Sequence, residues 1–157
     1  MLSGQVILLS GAAGRLGSAI AQEVASQGGR LVLLDTDAEA LQRLAGALPP
    51  GTYIESVGDA SVPVDIDTAI STGVKGFGTV DGAVHAAYPK SPWWGAPFER
   101  LTSEGLFEDL SRQLGGAILF SQRVLLFFKE INHGNLIHLS SIHGITAPKF
   151  EHYETTE

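Results

Sequence analysis

"LLSGAAGRLGSAIAQEV" spans residues 8–24 and sets Gly11, Gly14 and Gly17 between an apolar run and an amphipathic stretch. A glycine costs roughly 1 kcal/mol relative to alanine inside a helix. Three of them at a strand-to-helix junction indicate that something approaches the backbone closely there. The spacing G-x-x-G-x-x-G, after a first strand and at the start of a first helix, is that of a dinucleotide-binding turn. Gly11 lets the chain leave the strand sharply, and Gly14 leaves room for a pyrophosphate to meet backbone N–H groups at the helix N-terminus. Gly17 lets helix and strand pack closely. Arg15 and Leu16 lie in the same loop. A tight turn with no ligand is the plain alternative, and the βαβ context weighs against it.

Outward from this turn, apolar runs and helical periods alternate. "QVILLSG" (5–11) reads as a strand buried on both faces, and Leu16, Ile20 and Val24 mark a helix face that ends at Gly28-Gly29. "RLVLLD" (30–35) is a second strand. Thr36 with Glu39 reads as a capping box for a helix carrying Leu41, Leu44 and Leu48, stopped by Pro49-Pro50-Gly51. "TYIESV" (52–57), a helix with Ile66, Ile70 and Val74, and the strand "VDGAVHAA" (80–87) follow. Residues 88–102 read as a loop, 103–130 as one long helix, and "NLIHLSS" (135–141) as a fifth strand. Five strands alternating with four helices predict an α/β fold, a Rossmann-like doubly wound parallel sheet with helices on both faces. The expected organisation is one dinucleotide-binding domain over residues 1–157, with later elements of the fold missing.

An acid closing the second strand completes the dinucleotide pattern, and Asp35 stands there, eighteen residues after Gly17. Its carboxylate can accept hydrogen bonds from both ribose hydroxyls of an adenosine and would repel a 2′-phosphate, which favours NAD over NADP. Two alternatives stay open: Arg15 could reach a 2′-phosphate, and Asp35 could serve only as a negative charge near the next helix start.

Composition narrows the remaining classes. Hydrophobic residues make up 44% and charged ones 17%, which is globular and not disordered. A net charge of −7 offers no basic face for nucleic acid. There is no cysteine, so neither a disulfide framework nor a thiolate metal site is available. The five histidines follow no metal-binding spacing such as H-E-x-x-H, and no metal is expected. The N-terminus lacks the cationic start of a signal peptide, and the longest apolar runs are too short to span a membrane, so a cytoplasmic protein is expected.

Taken with the glycine turn, Asp35 and the serines of the fifth strand, the chain resembles a short-chain dehydrogenase/reductase over essentially its whole length. The glycine spacing is nearer the family's extended branch than its classical one. "GDAS" resembles the segment that would place Asp59 and Ala60 beside the adenine, although Asp59 could instead cap the next helix. "VHAAYP" stands at the family's Asn-Asn-Ala-Gly position, which brings Ala86 and Ala87 to the cofactor, and His85-Ala86-Ala87 is also similar to the His-x-Ala-Ala of the extended branch. "RQLGGAILFSQ" resembles the fourth-helix motif with Gln113 where asparagine is usual, and "LIHLSSIHG" maps the catalytic serine onto Ser141. Gln113 as a solvated helix residue, and Ser140 and Ser141 as strand-end serines bonded to local backbone, are the plain alternatives. Trp93 and Trp94 fit either a substrate mouth or a pinned loop.

Such enzymes move a hydride between nicotinamide and an alcohol or carbonyl carbon, and a tyrosine handles the substrate's proton. A phenol near pKa 10 needs a neighbouring ammonium to act as a base at neutral pH, which the family supplies as a lysine four residues later. Tyr153 lies twelve residues after Ser141, yet Glu157 occupies the lysine position and Lys149 precedes the tyrosine. Tyr153 is therefore rejected as the catalytic residue, and a Tyr-x-x-x-Lys is expected beyond residue 157, this stretch alone being inactive. "SSIHGITAPKFEHYE" further resembles a subgroup linked to bacterial surface-sugar biosynthesis, so a sugar-derived substrate is one expectation. An extended-branch nucleotide-sugar epimerase or dehydratase, and a non-catalytic dinucleotide-binding module, are the rival functions. Helix 103–130 carries more apolar surface than one sheet-facing stripe needs, which a deeply buried helix would also show. In the family it resembles, this helix often pairs with its symmetry mate, so the resemblance implies a homo-oligomer through it.

Overall fold

The computed structural model describes residues 1–146. Val6–Ser10 (β1), Arg30–Asp35 (β2), Tyr53–Val57 (β3), Gly82–His85 (β4) and Asn135–His138 (β5) form one parallel sheet in the order β3-β2-β1-β4-β5. The helices between them are Arg15–Ser26 (α1), Ala38–Ala45 (α2), Pro63–Phe77 (α3), Ser103–Leu110 (α4) and Gly116–Ile131 (α5). The expected doubly wound α/β sheet is thus the observed one. Its order reverses between β1 and β4, which opens a crevice at the carboxyl ends of those strands.

Strand alternation builds a core on each side of the sheet. Val6, Leu8, Val32, Leu34 and Ala83 meet Ile66 and Ile70 of α3 and Phe120, Val124 and Phe128 of α5 on one face. Leu9, Leu31 and Leu33 meet Ala21 and Val24 of α1 and Leu41 and Leu44 of α2 on the other. Every strand residue at the centre therefore lies under a helix, as the unbroken apolar runs require.

Several local expectations are corrected. Leu16 does not face the sheet: it is 63% exposed, and Gly17, Ala21, Val24 and Ala25 form the buried stripe of α1. The helix sits close to the strands, so small side chains fill the contact and the larger Leu16 is turned outward. Asp37, and not Thr36, caps α2 by accepting from the Ala40 N–H at 2.9 Å. The Asp35 carboxylate accepts from the Asp37 N–H at 3.1 Å and so sets the turn one residue later. On α3, Val74 is half-exposed and Gly73 takes the inward place, where an added Cβ would lie 2.7 Å from side-chain atoms of Val32 and Val80.

The helix expected over 103–130 is interrupted, since Ser111–Gly115 forms a π-helical turn between α4 and α5. A short 3-10 turn, Phe98–Arg100, interrupts the loop expected over 88–102. β1, β4 and β5 also stop earlier than the apolar runs suggest, because the residues after them leave the ladder to line the crevice or to turn at its edge.

Candidate functional site

Four strand ends converge on one cleft of about 660 Å³, a volume suited to a small-molecule or cofactor site. After β1, Gly11 adopts a positive φ of 67°. A side chain there would strike the backbone of Ala86 and Ala87 after β4, with an added Cβ 2.6 Å from Ala87 Cα. Gly17 is tighter still: its Cβ would lie 2.0 Å from the Gly11 carbonyl oxygen and 2.8 Å from that of Ala12. The close packing therefore runs between α1 and the loop carbonyls, rather than between helix and strand as the spacing alone suggests. Gly14 is different, since its Cβ would meet only the Gly11 oxygen, at 3.2 Å.

Gly14 is the N-cap of α1, and no side chain caps this helix. The first-turn N–H groups of a helix have no intrahelical acceptor and sit at the positive end of its dipole. Here they open toward the cleft beside Arg15 and Leu16, which also line it. Asp35 lines the cleft next to this turn, with Oδ2 accepting from the Ala13 N–H at 2.9 Å and Oδ1 from the Asp37 N–H. The carboxylate thus ties the glycine loop to β2, and each oxygen keeps lone-pair capacity for a further donor. Asp35 therefore lies both in the cleft lining and just before the start of α2.

After β3, Asp59 accepts through Oδ1 from both the N–H and the hydroxyl of Ser61, each at 2.7 Å. It does not cap α3, whose N-cap is Val62. Asp65 instead accepts from the Asp59 N–H at 2.8 Å and holds that loop in place. Asp59, Ala60, Ala86 and Ala87 all line the cleft together with Gly11, Gly14, Arg15, Leu16, Gly17 and Asp35.

Ser141 and Gln113 are not brought into that lining. Ser141 is exposed, lies past β5, and accepts through Oγ from the His143 N–H at 3.2 Å. Gln113 sits in the π turn and donates from Nε2 to the Pro89 carbonyl at 3.3 Å. Lys149, Tyr153 and Glu157 lie outside the described residues.

Sequence reasoning missed Thr36, Asp37, Tyr88, Lys90 and Arg112 as cleft residues. The extension of Asp35 into "DTD" and the cations flanking the prolines and Gln113 were the available signals. It also missed a polar row that depends on register. Ser10, His85 and His138 are direct cross-strand partners on β1, β4 and β5. Ser10 Oγ and His85 Nδ1 share a buried hydrogen bond of 2.7 Å. The Ser121 hydroxyl donates to the Ala117 carbonyl at 2.7 Å, so its oxygen accepts from His138 Nε2–H at 2.9 Å. Burial, with the nearby His138 imidazole, lowers the His85 pKa to about 4, so His85 is neutral at pH 7.

The fold and the position of the cleft define a doubly wound α/β protein of the Rossmann type. Residues 11–156 match the family model described as Enoyl-(Acyl carrier protein) reductase. The chain is 34% identical over 160 residues to post-translational flagellin modification protein A of Campylobacter coli, across 99% of this chain and 62% of that relative. A short chain dehydrogenase from Bacillus anthracis superposes with a TM-score of 0.84 at 22% identity, over 92% of this chain and 58% of its own. An NAD+-bound xylitol dehydrogenase superposes with a TM-score of 0.80 at 24% identity, over 94% and 56%. The chain belongs to the short-chain dehydrogenase/reductase family. It spans less than two thirds of the length of these relatives.

Proposed function

We propose that the chain is the nucleotide-binding part of an NAD-dependent oxidoreductase acting on an alcohol or carbonyl substrate. One observation carries this reading: the uncapped N-terminus of α1 and the Asp35 carboxylate, which holds the loop just before that helix, line one cleft at the reversal of strand order. The residues fit the dinucleotide. A diphosphate needs backbone donors and space, which the first turn of α1 and Gly14 offer. An adenosine ribose needs an acceptor, which Asp35 offers, and a 2′-phosphate there would meet Asp35 and Asp37 together.

NAD supplies the hydride acceptor. The chain's own residues would hold it, Asp59 and Ala60 on the adenine side and Ala86 and Ala87, which pack against the glycine loop, farther along the cleft. Ser141 would hydrogen-bond the substrate oxygen once its Oγ turns from the His143 N–H. Gln113 holds the loop after β4 through Pro89. In this reading proton transfer needs a Tyr-x-x-x-Lys, a motif that residues 1–157 do not carry. In this reading the substrate is sugar-derived, as the resemblance of "SSIHGITAPKFEHYE" implies. The exposed apolar side chains of α4, the π turn and α5, among them Leu106, Leu110, Leu114 and Ile118, are assigned to contact with a second copy.

The test is a paired titration with NADH and NADPH, followed by the cofactor's own emission. NADH should bind at least tenfold more tightly, because a phosphate dianion against two carboxylates costs more than about 1.4 kcal/mol. Equal or tighter NADPH binding would show that Arg15 outweighs Asp35.

A further inference from the structure

Charge in the cleft is separated along the sheet. Asp35 ends β2, Asp37 and Asp59 follow β2 and β3, and Arg15 opens α1, whereas Lys90 and Arg112 stand after β4 and at the π turn. Arg112 is already paired with Glu108 at 3.0 Å. Lys90 makes no ion pair among the described residues; its ammonium lies 4.3 Å from the centroid of the Trp94 ring. The Trp94 indole N–H donates to the Tyr88 hydroxyl at 3.1 Å, and the two rings meet edge to face. Trp94 and Tyr88 nevertheless remain 45% and 59% exposed.

This exposure belongs to a fastened loop. Gln113 holds the Pro89 carbonyl, and the Ser91 N–H donates to Asp109 at 3.4 Å. Ser91 itself is buried and accepts through its hydroxyl from the Trp93 N–H at 3.1 Å. Gly105 of α4 admits Trp93 so closely that an added Cβ would lie 2.7 Å from the Trp93 Cβ. Tyr88 and Lys90 line the cleft, and Trp94 packs against both just outside that lining. Aromatic faces fastened in water beside a cleft form a binding surface of low ordering cost.

We propose that Tyr88, Lys90 and Trp94 form the substrate-recognition lip of the cleft and select a sugar-like ring that carries an anionic group. The proposal rests on the oxidoreductase reading above. The C–H face of a polyol ring stacks on the aromatic surface while its hydroxyl rim stays wet, which suits half-exposed rings better than a closed apolar pocket would. The unpaired Lys90 ammonium then meets a carboxylate or a phosphate on that ring.

Trp93 and Trp94 are the two tryptophans of the chain, so its indole emission reports this loop alone. The chain, saturated with NAD+, is titrated with glucuronate, glucose 6-phosphate and neutral methyl glucoside, with indole emission as the readout. At least one anionic sugar should quench the emission and bind roughly tenfold or more tightly than methyl glucoside, the usual worth of a charge-assisted contact. Whichever anion binds better identifies the group Lys90 receives. Lys90→Gln should remove that advantage while leaving the NADH dissociation constant, measured by cofactor emission, within twofold. Trp94→Phe should weaken all sugars alike and keep the preference for the anion. Equal binding of neutral and anionic sugars, or an unchanged preference in Lys90→Gln, overturns the lip. Failure of NADH itself to bind overturns the oxidoreductase reading instead, so the two outcomes are distinguishable.

Discussion

Replacing Gly17 with alanine separates a packing role from a conformational one. Gly17 lies inside α1, where alanine is favoured over glycine by up to about 1 kcal/mol if space allows. Space does not allow it: the new methyl group would sit 2.0 Å from one backbone carbonyl oxygen and 2.8 Å from the next. Neither neighbour is a side chain that can change rotamer. Relief requires moving the Gly11–Ala12 segment by more than an ångström, and Gly11 is itself wedged against Ala87. Overpacking of this kind costs about 1–3 kcal/mol, and here it also subtracts from the helix gain. Gly17→Ala should therefore lower the stability measured by urea unfolding by about 2 kcal/mol, a figure set by the upper part of that range. Gly14→Ala makes a sharp contrast. Its methyl group meets a single atom at 3.2 Å, so stability should change by less than about 1 kcal/mol while NADH affinity falls. A Gly17→Ala protein as stable as the parent, or more stable, would refute the packing argument.

Other predictions follow from single groups. His85 is held neutral with a pKa of about 4, whereas the unfolded chain takes up that proton near 6.5. Unfolding is thus coupled to proton uptake as the pH falls from about 6.5 to 4, and up to about 3 kcal/mol of stability is lost over that window. Unfolding midpoints of the parent and His85→Asn across this range check the point, and parallel pH profiles would contradict it. His133 works in the opposite sense: its hydrogen bond to Asp81 raises its pKa, so its contribution is complete below pH 6.5 and fades as pH rises through the higher folded value. His133→Gln should reduce stability at pH 6 more than at pH 9, and an equal loss at both would sink the assignment. Sedimentation should give a species larger than the 16.6 kDa chain. Ile118→Asp, on the exposed face of α5, should return it to that mass; a parent that sediments as a monomer removes the assembly reading.

The fold was legible because its signals are local and repeated: apolar strand runs, helical periods between them, and glycines at one junction. Asp35 was legible for the same reason, since it stands at a fixed distance from the turn. What escaped depends on distance in space. The buried stripe of α1 is made of Gly17, Ala21, Val24 and Ala25. A reading that weighs residues by size therefore chose Leu16 in their place. The cap of α2 moved from Thr36 to Asp37 because the Asp35 side chain folds back on the turn, a contact that no spacing rule contains. The π turn at Ser111–Gly115 has little compositional mark beyond Gly115. Ser10, His85 and His138 become neighbours only once the strand register is known.

The central claim is that the first turn of α1 receives a diphosphate while Asp35 receives the adenosine ribose. A crystal structure of the chain with NADH tests it most directly. The diphosphate oxygens should lie within hydrogen-bond distance of the amides at Arg15, Leu16 and Gly17, and both ribose hydroxyls on the Asp35 carboxylate. A dinucleotide bound elsewhere, or a ribose turned away from Asp35, would contradict the account.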